Sequence, residues 1–209
     1  MESHSPWASP IVLVKKKNGD MRFCCDYRAV NTVVKHDAYP LPRIEDLLEA
    51  TSGSRYFSIL DQTSAYWAIP LGPDSQEKTA FITEYGLFQW TRQPFGLKTS
   101  PASFQRVMED VLGELLREQV VVYLDDGILF TDDLSQHLRC LRETLEKYRR
   151  HGLKLNPGKC VIGKTEVDFL GHRVSQEGIR PSVSKLEALE QWPTPETSKD
   201  LRTILGFAG

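Results

Sequence analysis

The chain has 209 residues, 40% hydrophobic and 26% charged, which suits one large domain or two small ones with a real core. Its net charge of −2 excludes a protein that grips nucleic acid by overall basicity, so any phosphate contact must come from local basic patches. No long apolar span, signal peptide, internal repeat or low-complexity tract is found, and membrane insertion and secretion have no support.

Cys24, Cys25, Cys140 and Cys160 lack C-x-x-C spacing, and His4, His36, His137, His151 and His172 are scattered. Reduced, largely buried thiols in an intracellular protein are expected, and a zinc site is not.

Residues 11–17 read as a strand, Asn18-Gly19 as a turn and residues 21–26 as a second strand. Lys15, Lys16, Lys17 and Arg22 would project from this hairpin, as a basic grip or as solvated surface charge. Tyr39-Pro40-Leu41-Pro42 is an extended break, after which Ile44, Leu47 and Leu48 mark a short amphipathic helix closed near Gly53. Tyr56-Phe57-Ser58-Ile59-Leu60 is a strand-like run ended by Asp61. Residues 78–83 and 87–91 alternate as a half-buried hairpin around Gly86. Ser100-Pro101 opens a helix whose stripe of Phe104, Val107, Met108, Val111, Leu112 and Leu115 is core.

Residues 120–130 then carry two strand-length apolar runs around Asp125-Asp126-Gly127. Asp126-Gly127 signals a tight turn, which would put both carboxylates at a hairpin tip. Taken alone they are either a solvated turn or oxygen ligands for a divalent cation. Asp61 tips the balance: if its strand neighbours this hairpin, three carboxylates can hold two metal ions for phosphoryl transfer. Further on, Leu134, Leu138, Leu141, Leu145 and Tyr148 recur at helical spacing up to Gly152, with Lys147, Arg149 and Arg150 as solvated charge at the helix end. Helix signals resume over 182–191, Trp192-Pro193-Thr194-Pro195 interrupts them, and Ser198 caps a last helix to Phe207.

Tyr123-Leu124-Asp125-Asp126, with Leu60-Asp61 upstream and Gln93-Pro94-Phe95-Gly96-Leu97 and Ser100-Pro101-Ala102-Ser103-Phe104-Gln105 between, resembles the reverse transcriptase of gypsy-like long-terminal-repeat retrotransposons, and more distantly that of retroviruses. The similarity runs from Ser5-Pro6-Trp7-Ala8-Ser9-Pro10 to Leu205-Gly206-Phe207-Ala208-Gly209. It implies an α+β right-hand polymerase, with fingers from residues 1–55 and 70–100 and a palm from 56–69 and 101–175. An antiparallel palm sheet would be backed by helices, and residues 176–209 would begin a truncated thumb or connection region.

The implied activity is RNA-directed DNA synthesis. A primer 3′-hydroxyl attacks the α-phosphate of a deoxynucleoside triphosphate at two Mg²⁺ ions, with Mn²⁺ as a substitute, held by Asp61, Asp125 and Asp126. The implied partners are an RNA or DNA template with its primer and the deoxynucleoside triphosphates, with no membrane. The parent would be a Pol polyprotein with ribonuclease H and integrase, whose motifs do not occur here. Its implied location is the cytoplasm or virus-like particles.

By the same resemblance, Lys16 and Arg22 grip the triphosphate, lysine as a point charge and arginine as a bidentate fork. In Asp26-Tyr27-Arg28-Ala29-Val30-Asn31 the polar residues contact template or brace the fingers, an internal Asp26 to Arg28 pairing being the alternative. Ala65 and Tyr66 bind the nucleotide, the tyrosine lying beneath its sugar and excluding a 2′-hydroxyl; an ordinary core tyrosine is the alternative. Phe95 and Gly96 pack against nucleotide and template base, the glycine allowing close backbone approach. Lys159, in Leu155-Asn156-Pro157-Gly158-Lys159-Cys160, protonates the leaving pyrophosphate. Tyr123 and the primer grip of Val167-Asp168-Phe169-Leu170-Gly171-His172, through Leu170, Gly171 and His172, contact nucleic acid.

Two positions depart from the gypsy-like pattern. Ala65 stands where glycine is common, and Gly127 replaces a β-branched or aliphatic residue, which would weaken the strand's return and loosen the tip. Two rival readings are a catalytically inactive truncated remnant that binds nucleic acid or a partner, and a polymerase copying RNA into RNA. The complete acidic triad disfavours the first. The second calls for a small residue where Tyr66 stands.

Overall fold

The structure is a computed structural model that describes residues 1–15 and 19–208. The expectations for Lys16, Lys17 and Asn18 lie outside the described residues. Strands β1 (Ile11–Lys15) and β2 (Met21–Cys25) pair antiparallel with Val14 opposite Arg22. Helix α1 (Arg28–Val33) follows, and α2 (Ile44–Thr51) buries Leu47, Leu48 and Thr51. Glu45 and Asp46 in the first turn of α2 complement the positive end of its dipole. Strand β3 (Tyr56–Asp61) leads to a 3-10 turn (Ala65–Ala68) and a one-turn helix α3 (Pro73–Gln76).

The expected hairpin over 78–83 and 87–91 shrinks to β4 (Phe81–Thr83) and β5 (Gly86–Phe88). Thr79 ends it early, because its groups are spent outside a ladder. Its hydroxyl donates to Gln76 O at 2.6 Å and accepts from Trp90 N at 3.0 Å, and its carbonyl accepts from Tyr27 Oη at 2.8 Å.

Helix α4 (Ser100–Leu112), with Pro101 in its first turn, buries Phe104, Met108, Val111 and Leu112 as its stripe predicts. Strands β6 (Val120–Tyr123) and β7 (Asp126–Thr131) form the central hairpin. Helix α5 (Leu134–Arg150) starts at Asp133, whose Oδ1 accepts from Gln136 N at 2.9 Å. Its spacing gives a helix, but the buried face carries His137, Cys140, Thr144 and Tyr148, while Leu134, Leu138 and Leu145 face solvent. His137 turns the helix this way, its ring nitrogens lying 2.7 Å from Ser58 Oγ and 3.0 Å from Thr131 Oγ1 on the sheet.

The remaining elements are β8 (Val161–Lys164), β9 (Glu166–Phe169), β10 (His172–Ser175), β11 (Gly178–Pro181), α6 (Val183–Glu190) and α7 (Ser198–Ala208). The expected hairpin at Leu170-Gly171 is present, extended by β11 into a three-stranded sheet. Helix α7 is capped by Thr197 instead of Ser198. Thr197 Oγ1 accepts from Asp200 N at 3.1 Å, and Asp200 Oδ2 accepts from Thr197 N at 2.9 Å.

The organising layer is a four-stranded antiparallel sheet in the order β6-β7-β3-β8. Strand alternation sends Leu60, Val120, Val122 and Leu129 into a core with α4 and α5. The other face packs Phe57, Val121, Ile128 and Phe130 against α2 and against Val167, Phe169 and Val174 of the three-stranded sheet. The fold is α+β. All four cysteines are free thiols, but only Cys140 is buried, the other three being half-buried because they lie at sheet and loop edges. Among the described residues no helix is long and apolar enough to cross a membrane.

Candidate active site

Antiparallel pairing of β3 with β7 sets Asp61 directly opposite Asp126. The β6–β7 register pairs Tyr123 with Asp126, so the loop between them is Leu124-Asp125, two residues earlier than the expected Asp126-Gly127 turn. Leu124 carries the turn with φ 54°, a strained value for a leucine. Gly127 lies inside β7, opposite Val122 and Leu60. A Cβ there would stand at ordinary contact distance, 3.5 Å from Tyr148 Oη and 3.6 Å from Leu60 O, and the strand runs through the glycine in register. Gln62 N donates to Asp125 O at 3.1 Å, joining the end of β3 to the turn that bears the pair.

The electrostatics follow from this convergence. Burial raises the Asp125 carboxyl above the usual range, the negative charges of Asp126 and Asp61 push it further, and Lys159 opposes them. Asp126 is the more open to solvent, yet partial loss of hydration raises it too, followed by repulsion from Asp61 and again opposed by Lys159. Asp125 Oδ1 is buried and accepts no hydrogen bond among the described residues. Such an orphaned oxygen among like charges is costly unless a cation is supplied.

The donor set is all oxygen and anionic, which fits a hard divalent cation. As they stand, however, the side chains are not closed into a metal cage. Among the described residues no set of three or more His, Cys, Asp or Glu side chains is close enough to hold a metal ion. The strand register thus places Asp61 opposite Asp126 and next to the turn that bears Asp125, without gathering the three carboxylates into one ligand set.

Lys159 is delivered by a turn sewn to the end of β3. Asn156 N donates to Asp61 O at 2.9 Å, Thr63 N to Lys154 O at 2.8 Å, and Lys159 N to Asn156 O at 3.0 Å. From there Lys159 Nζ lies 3.2 Å from Asp61 Oδ2. Gln62 and Asn156 hold these backbones through main-chain bonds, a role that the sequence analysis did not assign to either residue.

An aromatic floor lies beside the acids. Ala65 and Tyr66 are buried at the start of the 3-10 turn, with Tyr66 packed 4.9 Å from Phe95 and 5.7 Å from Phe104 between ring centroids. Burial, followed by the charge of Asp125, pushes the Tyr66 hydroxyl up to about 12, so it remains a neutral phenol. Phe95 is partly exposed. Gly96 has φ +96°, and a Cβ there would meet the Tyr27 ring at 3.4 Å and Cys25 O at 3.5 Å. Asn31 braces the same loop, donating to Gly96 O at 2.8 Å and accepting from Lys98 N at 2.9 Å. Arg28 is bound to Asp26 at 2.6 Å, the internal pairing given above as the alternative for that motif.

Of the remaining described candidates, Tyr123 pairs with Asp126, and the others lie on other elements. Arg22 is exposed on β2, in the separate two-stranded sheet, and Lys16 lies outside the described residues. Leu170 and Gly171 form the β9–β10 turn, and His172 Nδ1 lies 3.0 Å from the Leu170 carbonyl. Tyr123 and Leu170 both pack against the apolar cluster that holds Phe57, Val121 and Phe169.

The site is thus an antiparallel sheet that presents acidic residues at two neighbouring strand ends, followed in the chain by a turn that carries packed aromatic rings. Residues 14–174 match the family model described as reverse transcriptase (RNA-dependent DNA polymerase). The chain is 37% identical to the retrovirus-related Pol polyprotein from transposon 297 of Drosophila melanogaster, over all of this chain and 20% of that protein. It is 36% identical to the transposon Tf2-3 polyprotein of Schizosaccharomyces pombe, over 98% of this chain and 15% of that protein. Among solved structures it resembles a foamy viral protease-reverse transcriptase in complex with an RNA/DNA hybrid, with TM-score 0.87, 30% identity, and coverage of 99% of this chain and 28% of that one. A second foamy viral protease-reverse transcriptase, in complex with double-stranded DNA, gives TM-score 0.89 and 31% identity over 99% of this chain and 36% of that one. The chain belongs to the reverse transcriptase family. It spans a fifth or less of the length of these two curated relatives.

Proposed function

We propose that this chain is the polymerase portion of a retrotransposon Pol polyprotein and carries out RNA-directed DNA synthesis. The observation that carries the proposal is the register that sets Asp61 opposite Asp126 and beside the Asp125 turn, in a chain of this family. Asp61, Asp125 and Asp126 would hold two Mg²⁺ ions, or Mn²⁺ in their place. Bound there, the cations would lower the pKa of the primer 3′-hydroxyl and neutralise charge on the triphosphate.

The chain's own residues do the rest. Tyr66, fixed by Phe95 and Phe104 and backed by Ala65, forms the floor beneath the sugar, where a 2′-hydroxyl would collide with the ring. Phe95 stacks on the nucleotide, and Gly96 lets the loop approach the template base. Lys16 and Arg22 grip the triphosphate. Lys159, whose ammonium lies beside Asp61 at the edge of the acids, would give a proton to the departing pyrophosphate. Tyr123, Leu170, Gly171 and His172 line the primer's path.

In this reading the fingers comprise residues 1–55 and 70–100 and the palm 56–69 and 101–175. Residues 176–209 begin a thumb or connection region, in keeping with α6 burying none of its residues. The substrates are an RNA or DNA template with its primer and deoxynucleoside triphosphates. The parent carries ribonuclease H and integrase, and works in the cytoplasm or in virus-like particles.

The test is primer extension on poly(rA)/oligo(dT) with Mg²⁺, comparing the chain with Asp125→Asn. Incorporation by the unaltered chain and its loss in the variant is the expected result. Extension by both, or by neither, contradicts the proposal.

A further inference from the structure

We propose that Lys159 is the resident counter-ion of the acidic triad, a tethered monovalent cation that holds the site together before metal loading and is displaced from Asp61 when a divalent ion enters. This rests on the polymerase reading of the triad and adds to Lys159 a role in the unloaded protein.

The geometry carries the inference. Among the described residues, the Lys159 ammonium is the one cation in ion-pair contact with any of the three carboxylates, 3.2 Å from Asp61 Oδ2. Its backbone is not free to drift, because Asn156 and Lys154 tie the turn to Asp61 O and Thr63 N. The side chain is free, with 66% of its surface exposed against 20% for Asp61. A fixed base and a mobile head make a cation that can leave Asp61 and remain nearby.

Its single charge also falls short of what the site presents. One ammonium against three carboxylates leaves a net charge near −2, and it leaves Asp125 Oδ1 buried without a donor. The lysine therefore lowers the cost of assembling the acids and does not saturate them. A divalent ion offers more charge and takes several oxygens at once, so it outcompetes the ammonium for Asp61. Removing the lysine should make the empty site harder to hold and easier to load.

The experiment uses the full chain, Lys159→Met, Lys159→Arg and Asp125→Asn, with thermal melts in EDTA at neutral pH and Mn²⁺ titration followed by electron paramagnetic resonance. An exposed pair of this kind is worth little, so Lys159→Met should lower the melting temperature in EDTA by about 1–3 °C. It should tighten Mn²⁺ binding on the order of threefold, while Lys159→Arg keeps both values near those of the unaltered chain. A Lys159→Met chain that melts unchanged in EDTA, or that binds Mn²⁺ no more tightly, overturns the proposal, as does a Lys159→Arg chain that behaves like the methionine variant. Mn²⁺ binding that depends on Asp125 but ignores Lys159 defeats the counter-ion alone. Mn²⁺ binding that is absent, or indifferent to Asp125→Asn, defeats the triad reading beneath it and the counter-ion with it.

Discussion

Asp61 and Asp126 face each other directly across two antiparallel strands, the last residue of β3 against the first of β7. Like charges opposed in this way destabilise a sheet, by about 0.2–1 kcal/mol for a cross-strand pair. The protein keeps them at the edge of its most buried strands, where Leu60 and Ile128 are fully enclosed.

Neutralising one partner should therefore stabilise the metal-free chain. The Asp126 carboxyl is raised in the folded state, so the fold binds a proton more readily than the unfolded chain does. Its contribution favours folding at low pH and is lost as pH rises from about 4 through the raised value. In EDTA at pH 7, Asp126→Asn should gain roughly 0.2–1 kcal/mol by denaturant unfolding and show a flatter acid-side profile. Equal or lower stability of the variant would mean that the two carboxylates do not repel as described.

The second prediction concerns His137, fully enclosed between Ser58 and Thr131. Burial lowers its pKa, so between the folded value and about 6.5 the unfolded chain binds more protons than the fold. Stability is then fully present above pH 6.5 and falls as the solution is acidified. His137→Phe should flatten that fall, at a cost of about 1–3 kcal/mol at pH 7.5 from losing its two buried hydrogen bonds to Ser58 and Thr131. Chemical denaturation at pH 7.5 and 5.5 reads both, and an unchanged slope in the variant would remove His137 as the cause.

Gly127 supplies a third. A Cβ at this position meets its neighbours at ordinary contact distance, and the backbone there is not left-handed. Gly127→Ala should be neutral or stabilising by up to about 1 kcal/mol, through a less free unfolded chain. Gly127→Val should cost about 1–3 kcal/mol by pressing on Tyr148 and Leu60. Thermal melts of the two variants decide it, and equal losses in both would place the constraint in the backbone.

Much of this was legible in the sequence where one strong local signal had one outcome. The Ser100-Pro101 helix start, the stripe down to Leu115 and the β-branched run ahead of Tyr123 all form what their patterns imply. The candidate acids were legible as motifs, and the pairing of Asp61 with Asp126 followed once β3 and β7 were neighbours. What stayed hidden depended on tertiary context. Asp126-Gly127 is a good local turn, but both residues are taken into β7 by their pairing with β3 and β6, and the turn moves to Leu124-Asp125. The leucines of α5 announced a helix without saying which face is buried, a choice made by His137 reaching across to Ser58 and Thr131. The ion pair of Lys159 with Asp61 joins residues far apart in the chain, through backbone bonds that no local pattern reveals.

The most direct measurement of the central claim is metal-directed cleavage with Fe²⁺, ascorbate and peroxide in place of Mg²⁺. A cation shared by the two strand ends should cut the chain both near residue 61 and near residues 125 and 126, with both sets of cuts suppressed by excess Mg²⁺ and by Asp125→Asn. Cuts confined to one of those strands, or cuts that persist in Asp125→Asn, would contradict the account.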